Sequence, residues 1–239
     1  LLAPLCADRK IVGFLRSYII ATSFDGKVGA YTLTVKAATE AYAKLTKIKS
    51  EFQAGMMAVQ KGAMVGTDFD MDKYYNGLGE LQAKFLDRYL QFVKENAQDS
   101  SAGEAKMLIR QTVSGMGNSA APAIGAKLRA LISKSEDKDL LGAANLALGQ
   151  HLAKRYESAF QKKDAGASKF AKEAESVLQQ TGKDFAGQSA QVAAALFDLT
   201  KLAVGRKAME IEAEDIDGTK FKLSDYRGKV VVIDFWGDW

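Results

Sequence analysis

Apolar residues recur at spacings of three and four along most of the chain up to about residue 203, which is typical of helices with one buried face. The clearest run predicts a long helix from Tyr31 to Val59, with Tyr31, Val35, Ala38, Tyr42, Leu45, Ile48, Phe52, Met56 and Val59 on its buried face. Residues 80–97 predict a second long helix, whose face consists of Leu78, Leu81, Phe85, Tyr89 and Phe92. Five further helices are predicted over residues 102–113, 121–133, 137–160, 167–180 and 189–203.

Short loops with helix-ending residues separate these segments. The glycines of residues 114–120 predict a turn with positive φ, and Pro122 suits the first turn of the following helix. Ser135 is the predicted N-cap of the next helix, Gly182 a predicted C-cap, and Gly205 the end of the last helix. Helices joined by short links pack as antiparallel neighbours, so we expect a helical bundle or a short α-solenoid.

The hydrophobic pattern changes near residue 204. Residues 209–223 alternate between apolar and polar side chains on either side of Asp217-Gly218, which predicts a β-hairpin with a tight turn. Ser224 is the predicted cap of a single helical turn, and Gly228 the residue that ends this turn. The apolar positions of the alternation are Met209, Ile211 and Ala213 before the turn, and Phe221 and Leu223 after it.

A nearly continuous apolar run follows from Val230 to Trp236, interrupted only by Asp234. Such a run predicts a strand that is buried on both faces, inside a sheet flanked by helices. The residues up to Trp239 do not supply those neighbours. We therefore expect the segment from Val230 to Phe235 to be poorly covered or abnormally paired in this chain.

The last 36 residues, VGRKAMEIEAEDIDGTKFKLSDYRGKVVVIDFWGDW, resemble the opening of a thioredoxin-like domain of the TlpA/ResA family of thiol-disulfide oxidoreductases, in the redoxin/AhpC-TSA superfamily. Shared features, in order, are Val-Gly, a short acidic strand, Asp-Gly, Leu-Ser-Asp-Tyr-x-Gly-Lys, and an apolar strand ending in Phe-Trp-x-x-Trp. Lys207 and Met209 stand where the family usually has prolines. The resemblance implies a Cys-x-x-Cys motif directly after Trp239. A peroxiredoxin is the neighbouring alternative.

The resemblance also implies roles for three residues. Asp234 matches the buried acid that lies beneath the disulfide and takes a proton from the second cysteine. The alternative is that Asp234 only ends a strand and hydrogen-bonds to backbone groups. A carboxylate buried in an apolar strand has a raised pKa, which suits a general base. Trp239 is assigned to the active-site wall, and Trp236 to the wall and the core.

Composition narrows the classes of function. The 239 residues carry 33 basic and 29 acidic side chains, interleaved along the chain, so no nucleic-acid partner is expected. Cys6 is the single cysteine, so the chain holds no redox cysteine pair and no zinc cluster. His151, the single histidine, is expected to serve in packing or at the surface, and no metal or cofactor is predicted.

Residues 1–30 are interpreted as a signal remnant or an N-terminal extension. The apolar stretch of residues 11–21 contains Arg16 and is too short for a transmembrane span. The resemblance implies a periplasmic, cell-envelope or secreted location; the alternative is cytoplasmic.

The predicted fold class is mainly α: a helical domain over 31–203, followed over 204–239 by the first hairpin and central strand of an incomplete thioredoxin-like α/β domain. The predicted function is the N-terminal portion of a thiol-disulfide oxidoreductase that acts on protein thiols or disulfides, the fragment itself being inactive. The alternative is a helical module that binds a protein or peptide, attached to a degenerate thioredoxin-like or peroxiredoxin-like domain.

Overall fold

The computed structural model describes residues 39–234, and this part of the chain is mainly helical, as predicted. Seven α-helices lie within these residues: α1 (Glu40–Gly62), α2 (Met71–Glu95), α3 (Ala102–Met116), α4 (Pro122–Lys134), α5 (Lys138–Gln161), α6 (Ala167–Asp184) and α7 (Ser189–Phe197). Two short hairpins accompany them, β1 (Met64–Val65) with β2 (Asp68–Phe69) and β3 (Glu212–Glu214) with β4 (Lys220–Lys222).

The main packing contacts join helices that are at most two places apart in chain order. Helix α2 packs against α1, α3 and α4, whereas α5 packs against α3, α4, α6 and α7. Contacts of this local kind fit both predicted arrangements, a helical bundle and a short α-solenoid.

Helix α1 begins after Thr39, whose hydroxyl accepts a hydrogen bond of 3.1 Å from the backbone N–H of Tyr42. Leu45 is buried as predicted, but Tyr42 and Met56 are 45% and 37% exposed. Ala41 is buried instead, so the face is rotated by one position near the N-terminal end. Tyr31, Val35 and Ala38 lie outside the described residues.

The helical pattern breaks between α1 and α2, where residues 63–70 contain the hairpin of β1 and β2, which the sequence did not predict. Met64 pairs with Phe69 and Val65 with Asp68, and Gly66 adopts a φ of 64° in the turn. Two-residue strands are too short to show an alternating pattern. Asp70 then caps α2 by accepting a hydrogen bond from the N–H of Lys73, so this helix begins nine residues before the predicted start at residue 80.

Three predictions about where helices begin or end were wrong. Asp137, not Ser135, caps α5, because the Asp137 carboxylate accepts from the N–H groups of Asp139 and Leu140 at 3.0 and 3.1 Å. Gly182 lies inside α6 and not at its end. The glycines of residues 114–120 do not have positive φ either.

These glycines serve close packing instead of turns. A Cβ atom on Gly115 would lie 2.1 Å from the side-chain amide nitrogen of Gln82 in α2. On Gly182 it would lie 3.2 Å from Cγ1 of Val192 in α7. The absent side chains therefore let neighbouring helices approach closely.

The apolar run after Gly228 forms no strand within the described residues. Val230, Val231, Val232 and Ile233 are 97%, 42%, 90% and 46% exposed. This matches the expectation that the segment is poorly covered in this chain.

Candidate functional site

The segment that carries the resemblance, residues 204–239, is attached to helix α5 at its first residue. The Tyr156 hydroxyl donates a 2.9 Å hydrogen bond to the carbonyl oxygen of Val204. The Arg206 guanidinium lies 5.4 Å from the centre of the Tyr156 ring and donates through Nε to the carbonyl oxygen of Leu199, at 3.1 Å. Leu199 belongs to a π-helical turn, Asp198–Leu202, that follows α7. These contacts fix the direction in which the chain leaves the helices.

Gly205 allows the backbone to lie directly on a ring of α5. Its φ is 83°, and a Cβ atom at this position would lie 2.4 Å from Cζ of Phe160. Only glycine combines this backbone conformation with this closeness of approach. The predicted helix end at Gly205 is thus confirmed as a turn, three residues after the last residue of the π-helical turn, Leu202.

The hairpin of β3 and β4 forms where the alternating pattern predicts it. Ala213 pairs with Phe221, and Gly218 adopts a φ of 79°. The backbone N–H of Gly218 donates to the carbonyl oxygen of Asp215 at 3.0 Å, while the Asp215 carboxylate accepts from the N–H groups of Asp217 and Thr219. The turn is therefore wider than a two-residue Asp-Gly turn and is held together by Asp215.

A 3₁₀ turn, Leu223–Tyr226, follows β4. Its N-cap is Lys222, whose backbone N–H donates to the Asp225 carboxylate at 2.9 Å, so the prediction that Ser224 is the cap was wrong. The Ser224 N–H instead donates to the Glu210 carboxylate at 2.9 Å, and hydrogen bonds from the Ser224 side chain and backbone lower the pKa of Glu210. Gly228, with a φ of 85°, ends the turn as predicted.

A shallow cavity of about 390 Å³ lies over one face of this hairpin. Its walls include Glu212 and Lys222, which form an ion pair of 2.6 Å, and its apolar lining is Ala213 and Phe221. The Phe221 ring lies 6.3 Å from that of Tyr226. The hairpin and the 3₁₀ turn are thus in contact through these two rings.

Of the three residues to which the resemblance assigns roles, one is described. Asp234 has no regular secondary structure and no strand pairing, and its side chain is exposed, whereas the assigned role requires burial. Trp236 and Trp239 lie outside the described residues, as does Cys6. The roles of Asp234, Trp236 and Trp239 remain predictions.

His151 is completely buried in α5, so it packs within the core rather than at the surface. Its Nδ1 atom lies 2.6 Å from the carbonyl oxygen of Ser119, and Nε2 has no hydrogen-bond partner among residues 39–234. The Nδ1–H is therefore the donor, and Nε2 faces Gly125 of α4. Burial lowers the pKa of His151, and the charges of Arg155 and Arg129 lower it further, against the effect of the Ser119 bond.

No sequence pattern indicates the polar layer around His151. The Asn76 side-chain oxygen accepts from the backbone N–H of Ala120 at 2.9 Å and from the Ser119 hydroxyl at 3.2 Å. These residues come from α2, from the loop before α4 and from α5, so no local pattern links them. The layer holds three parts of the helical stack in register.

Among residues 39–234, no group of three or more His, Cys, Asp or Glu side chains is arranged to hold a metal ion. None of the helices in this part of the chain has the length and apolar character needed to span a membrane.

Comparison with known proteins points to one class, the thiol-disulfide oxidoreductases. The chain is 45% identical over 40 residues to the thiol-disulfide oxidoreductase ResA of Geobacillus thermodenitrificans and 48% identical over 40 residues to ResA of Geobacillus kaustophilus. It is 38% identical over 39 residues to ResA of Bacillus thuringiensis subsp. konkukian.

These matches cover a short region. They include 17%, 17% and 16% of this chain, and the chain spans only 23%, 23% and 22% of the respective relatives. No family model matches the chain, and no solved structure matches it. The comparisons therefore show one region that is similar to thiol-disulfide oxidoreductases.

Proposed function

We propose that residues 204–239 are the first part of a thioredoxin-like domain of TlpA/ResA type, and that the whole protein exchanges thiols and disulfides with protein substrates. In this proposal residues 31–203 are an attached helical domain, and residues 1–30 a signal remnant or extension. The observation that carries the proposal is the identity of 45% over 40 residues to a ResA oxidoreductase.

The order of local structures supports this proposal. The hairpin of β3 and β4, the turn that contains Asp217-Gly218, the 3₁₀ turn and Gly228 follow one another as the resemblance requires. The apolar run from Val230 to Ile233 comes next and is exposed. Apolar β-branched residues gain free energy when a sheet and its helices cover them, so this run is suited to become the central strand of a completed domain.

The proposed chemistry is a disulfide exchange at a Cys-x-x-Cys motif after Trp239. The first thiolate attacks a substrate disulfide, forms a mixed disulfide and releases one substrate thiolate. The second cysteine then loses its proton to the Asp234 carboxylate and attacks the mixed disulfide, which releases the other substrate thiolate. Electrons pass from the two cysteines to the substrate, and the motif is left oxidised.

Asp234 can perform this role only when the domain around it is complete. In the described chain its carboxylate is exposed. Burial beneath the two cysteines would raise its pKa toward the range of a general base. Thiol-disulfide exchange with folded or folding proteins suits a periplasmic, cell-envelope or secreted location.

The first test is the sequence encoded after Trp239, where the proposal requires Cys-x-x-Cys. The second is reduction of insulin by dithiothreitol, measured by turbidity with the full-length protein. Asp234→Asn should slow the reaction at least about tenfold, the order expected for loss of a general base. Asp217→Asn, in the exposed hairpin turn, is the matched control and should leave the rate unchanged.

The 239-residue chain alone should not reduce insulin, because its single cysteine is Cys6. Absence of the motif after Trp239, or a rate for Asp234→Asn equal to that of the parent protein, would contradict the proposal. Peroxide consumption without insulin reduction would instead favour the peroxiredoxin alternative.

A further inference from the structure

A cleft of about 440 Å³ lies on the helical part, away from the hairpin of β3 and β4. Its walls are the first turns of α2, the loop between α3 and α4, and the C-terminal half of α5. The floor lies next to the polar layer in which Asn76 accepts hydrogen bonds from Ser119 and Ala120. Because this layer spans three elements, the walls of the cleft are held in place before any ligand arrives.

The cleft presents neutral hydrogen-bonding groups that are left open to solvent or to a ligand, and Asn118 and Gln161 among them are exposed. Four lining side chains form no side-chain hydrogen bond with any of residues 39–234: Tyr75, Asn118, Ser158 and Gln161. The Asn76 amide group also remains as a donor, since only its oxygen is engaged. Amide side chains offer both a donor and an acceptor, which matches the alternating N–H and C=O groups of a polypeptide backbone.

Charge does not favour an ionic ligand. Lys154 pairs with Glu157 at 2.8 Å within the lining. The remaining charged groups of the lining, Asp72 and Lys162, have opposite signs. The cleft is thus suited to a neutral ligand with many hydrogen-bonding groups.

An apolar track continues from the cleft to the β1–β2 hairpin. Tyr75 lines the cleft, its ring lies 5.3 Å from that of Tyr74, and Tyr74 lies 5.4 Å from Phe69. Phe69 pairs with Met64 across the hairpin, and Met71, which is 51% exposed, lies at the cleft itself. Methionine and aromatic side chains adapt to apolar side chains of varied shape. Amide groups in a cleft beside such a track fit an extended peptide better than a sugar, which offers fewer apolar groups.

We propose that this cleft binds an extended, unfolded segment of a polypeptide, whose backbone bonds to the amides and whose apolar side chains lie on the track. The inference rests on the proposed function, because it names the substrate class as unfolded protein chains and gives the helical part the task of holding them. An oxidoreductase that holds its substrate in this way raises the local concentration of the disulfide at its reactive cysteines.

The test is a binding measurement that needs no disulfide exchange. Reduced, carboxymethylated α-lactalbumin, an unfolded chain with blocked cysteines, is labelled and titrated with the 239-residue chain, and binding is followed by fluorescence anisotropy. Saturable binding is expected. The double variant Asn118→Ala/Gln161→Ala should weaken it about tenfold, the order expected for two lost hydrogen bonds. Met71→Glu should weaken it by a similar factor, because it places a charge on the track.

Matched controls come from exposed positions of α3. Gln111→Ala and Met107→Glu should bind as the parent chain does, and Met107 is 47% exposed, close to the 51% of Met71. Thermal unfolding by circular dichroism checks that each variant is folded. No binding by the parent chain, equal binding by the cleft variants, equal loss in the controls, or displacement by soluble oligosaccharides would each overturn the inference.

The two proposals can fail separately. If the cleft variants lose probe binding but the full-length protein does not reduce insulin, the proposed function is wrong and the peptide-binding cleft is still supported. Insulin reduction at the parent rate with no binding of the probe would overturn the cleft alone.

Discussion

The Tyr156 hydroxyl donates a 2.9 Å hydrogen bond to the carbonyl oxygen of Val204, so a side chain of α5 holds the first residue of the 204–239 segment. The Tyr156 ring also supports the guanidinium of Arg206, at 5.4 Å. One buried aromatic residue therefore contacts the chain on both sides of Gly205. This contact defines where the segment leaves the helices.

Removal of the Tyr156 hydroxyl should weaken this attachment. Tyr156→Phe should lower the free energy of unfolding by about 0.5–1.5 kcal/mol, because the Val204 carbonyl loses a partly buried partner. Chemical denaturation followed by circular dichroism measures this. Tyr42→Phe is the control, since the Tyr42 side chain is exposed and its hydroxyl bonds to no other described residue; it should change the free energy by less than about 0.5 kcal/mol. Equal effects of the two substitutions would show that the Val204 bond contributes nothing.

Gly205→Ala should destabilise the protein more than Gly66→Ala does. Both glycines have positive φ, 83° and 64°, so each substitution costs about 1–2 kcal/mol in the backbone. A Cβ atom on Gly66 meets open space, whereas on Gly205 it would lie 2.4 Å from Cζ of Phe160. The additional cost at Gly205 should be about 1–3 kcal/mol, measured by the same denaturation experiment. If the two variants are equally stable, the Phe160 ring moves aside freely.

Close helix packing at Gly149 leads to a similar comparison in the core. A Cβ atom on Gly149 would lie 2.5 Å from Cγ of Leu178, so Gly149→Ala should push α5 and α6 apart and cost about 1–3 kcal/mol. Gly103 lies in α3 with open space around it, and Gly103→Ala should stabilise the protein by about 0.5–1 kcal/mol. Thermal unfolding midpoints should shift in opposite directions. A shift in the same direction would contradict this account of the α5–α6 contact.

The helices could be predicted from the sequence because their signal is local. The spacing around Leu45, Phe85 and Tyr89 indicates a buried face within each helix, and these residues are buried. The roles of Gly115 and Gly182 could not be predicted in this way. A glycine at a turn and a glycine beneath a neighbouring helix look alike in one sequence, and only the packing partner, such as Gln82, distinguishes them.

The candidate site shows the same limit. The turn at Gly218 was predictable, since Asp-Gly between alternating runs is a local signal, but the bond from Tyr156 to Val204 joins residues 48 positions apart. The environment of Asp234 depends on neighbouring layers that no local pattern supplies. The lining of the cleft likewise combines α2, α5 and a loop, so Asn118 and Gln161 carry no joint signal in the sequence.

The choice of helix cap can be tested directly. Asp137→Ala should cost about 1 kcal/mol, because the N–H groups of Asp139 and Leu140 lose their acceptor at the start of α5. Ser135 accepts only a 3.3 Å bond from the N–H of Asp137, so Ser135→Ala should cost clearly less. Denaturation midpoints of both variants provide the comparison. A larger loss of stability in Ser135→Ala than in Asp137→Ala would show that Ser135 is the cap.

His151 should make the stability of the helical part depend on pH. Its pKa in the folded protein is lowered, chiefly by burial, whereas in the unfolded chain it should be near the ordinary value of about 6.5. Below that pH the unfolded chain binds a proton that the folded protein does not. The stability that neutral His151 contributes is therefore fully present above about pH 6.5 and is lost as the pH falls, by up to about 1.4 kcal/mol per pH unit.

Because His151 is the single histidine, one substitution isolates this effect. His151→Asn keeps an amide donor for the Ser119 carbonyl and removes the titrating ring, so the variant should be less stable at pH 7.5 but should lose little further stability between pH 7.5 and 5.5. The parent chain should lose stability over the same interval, measured by urea denaturation at several pH values. Parallel pH profiles for the parent and His151→Asn would show that other groups cause the pH dependence. Carboxylates with ordinary pKa values titrate mainly below this interval and should contribute little to it.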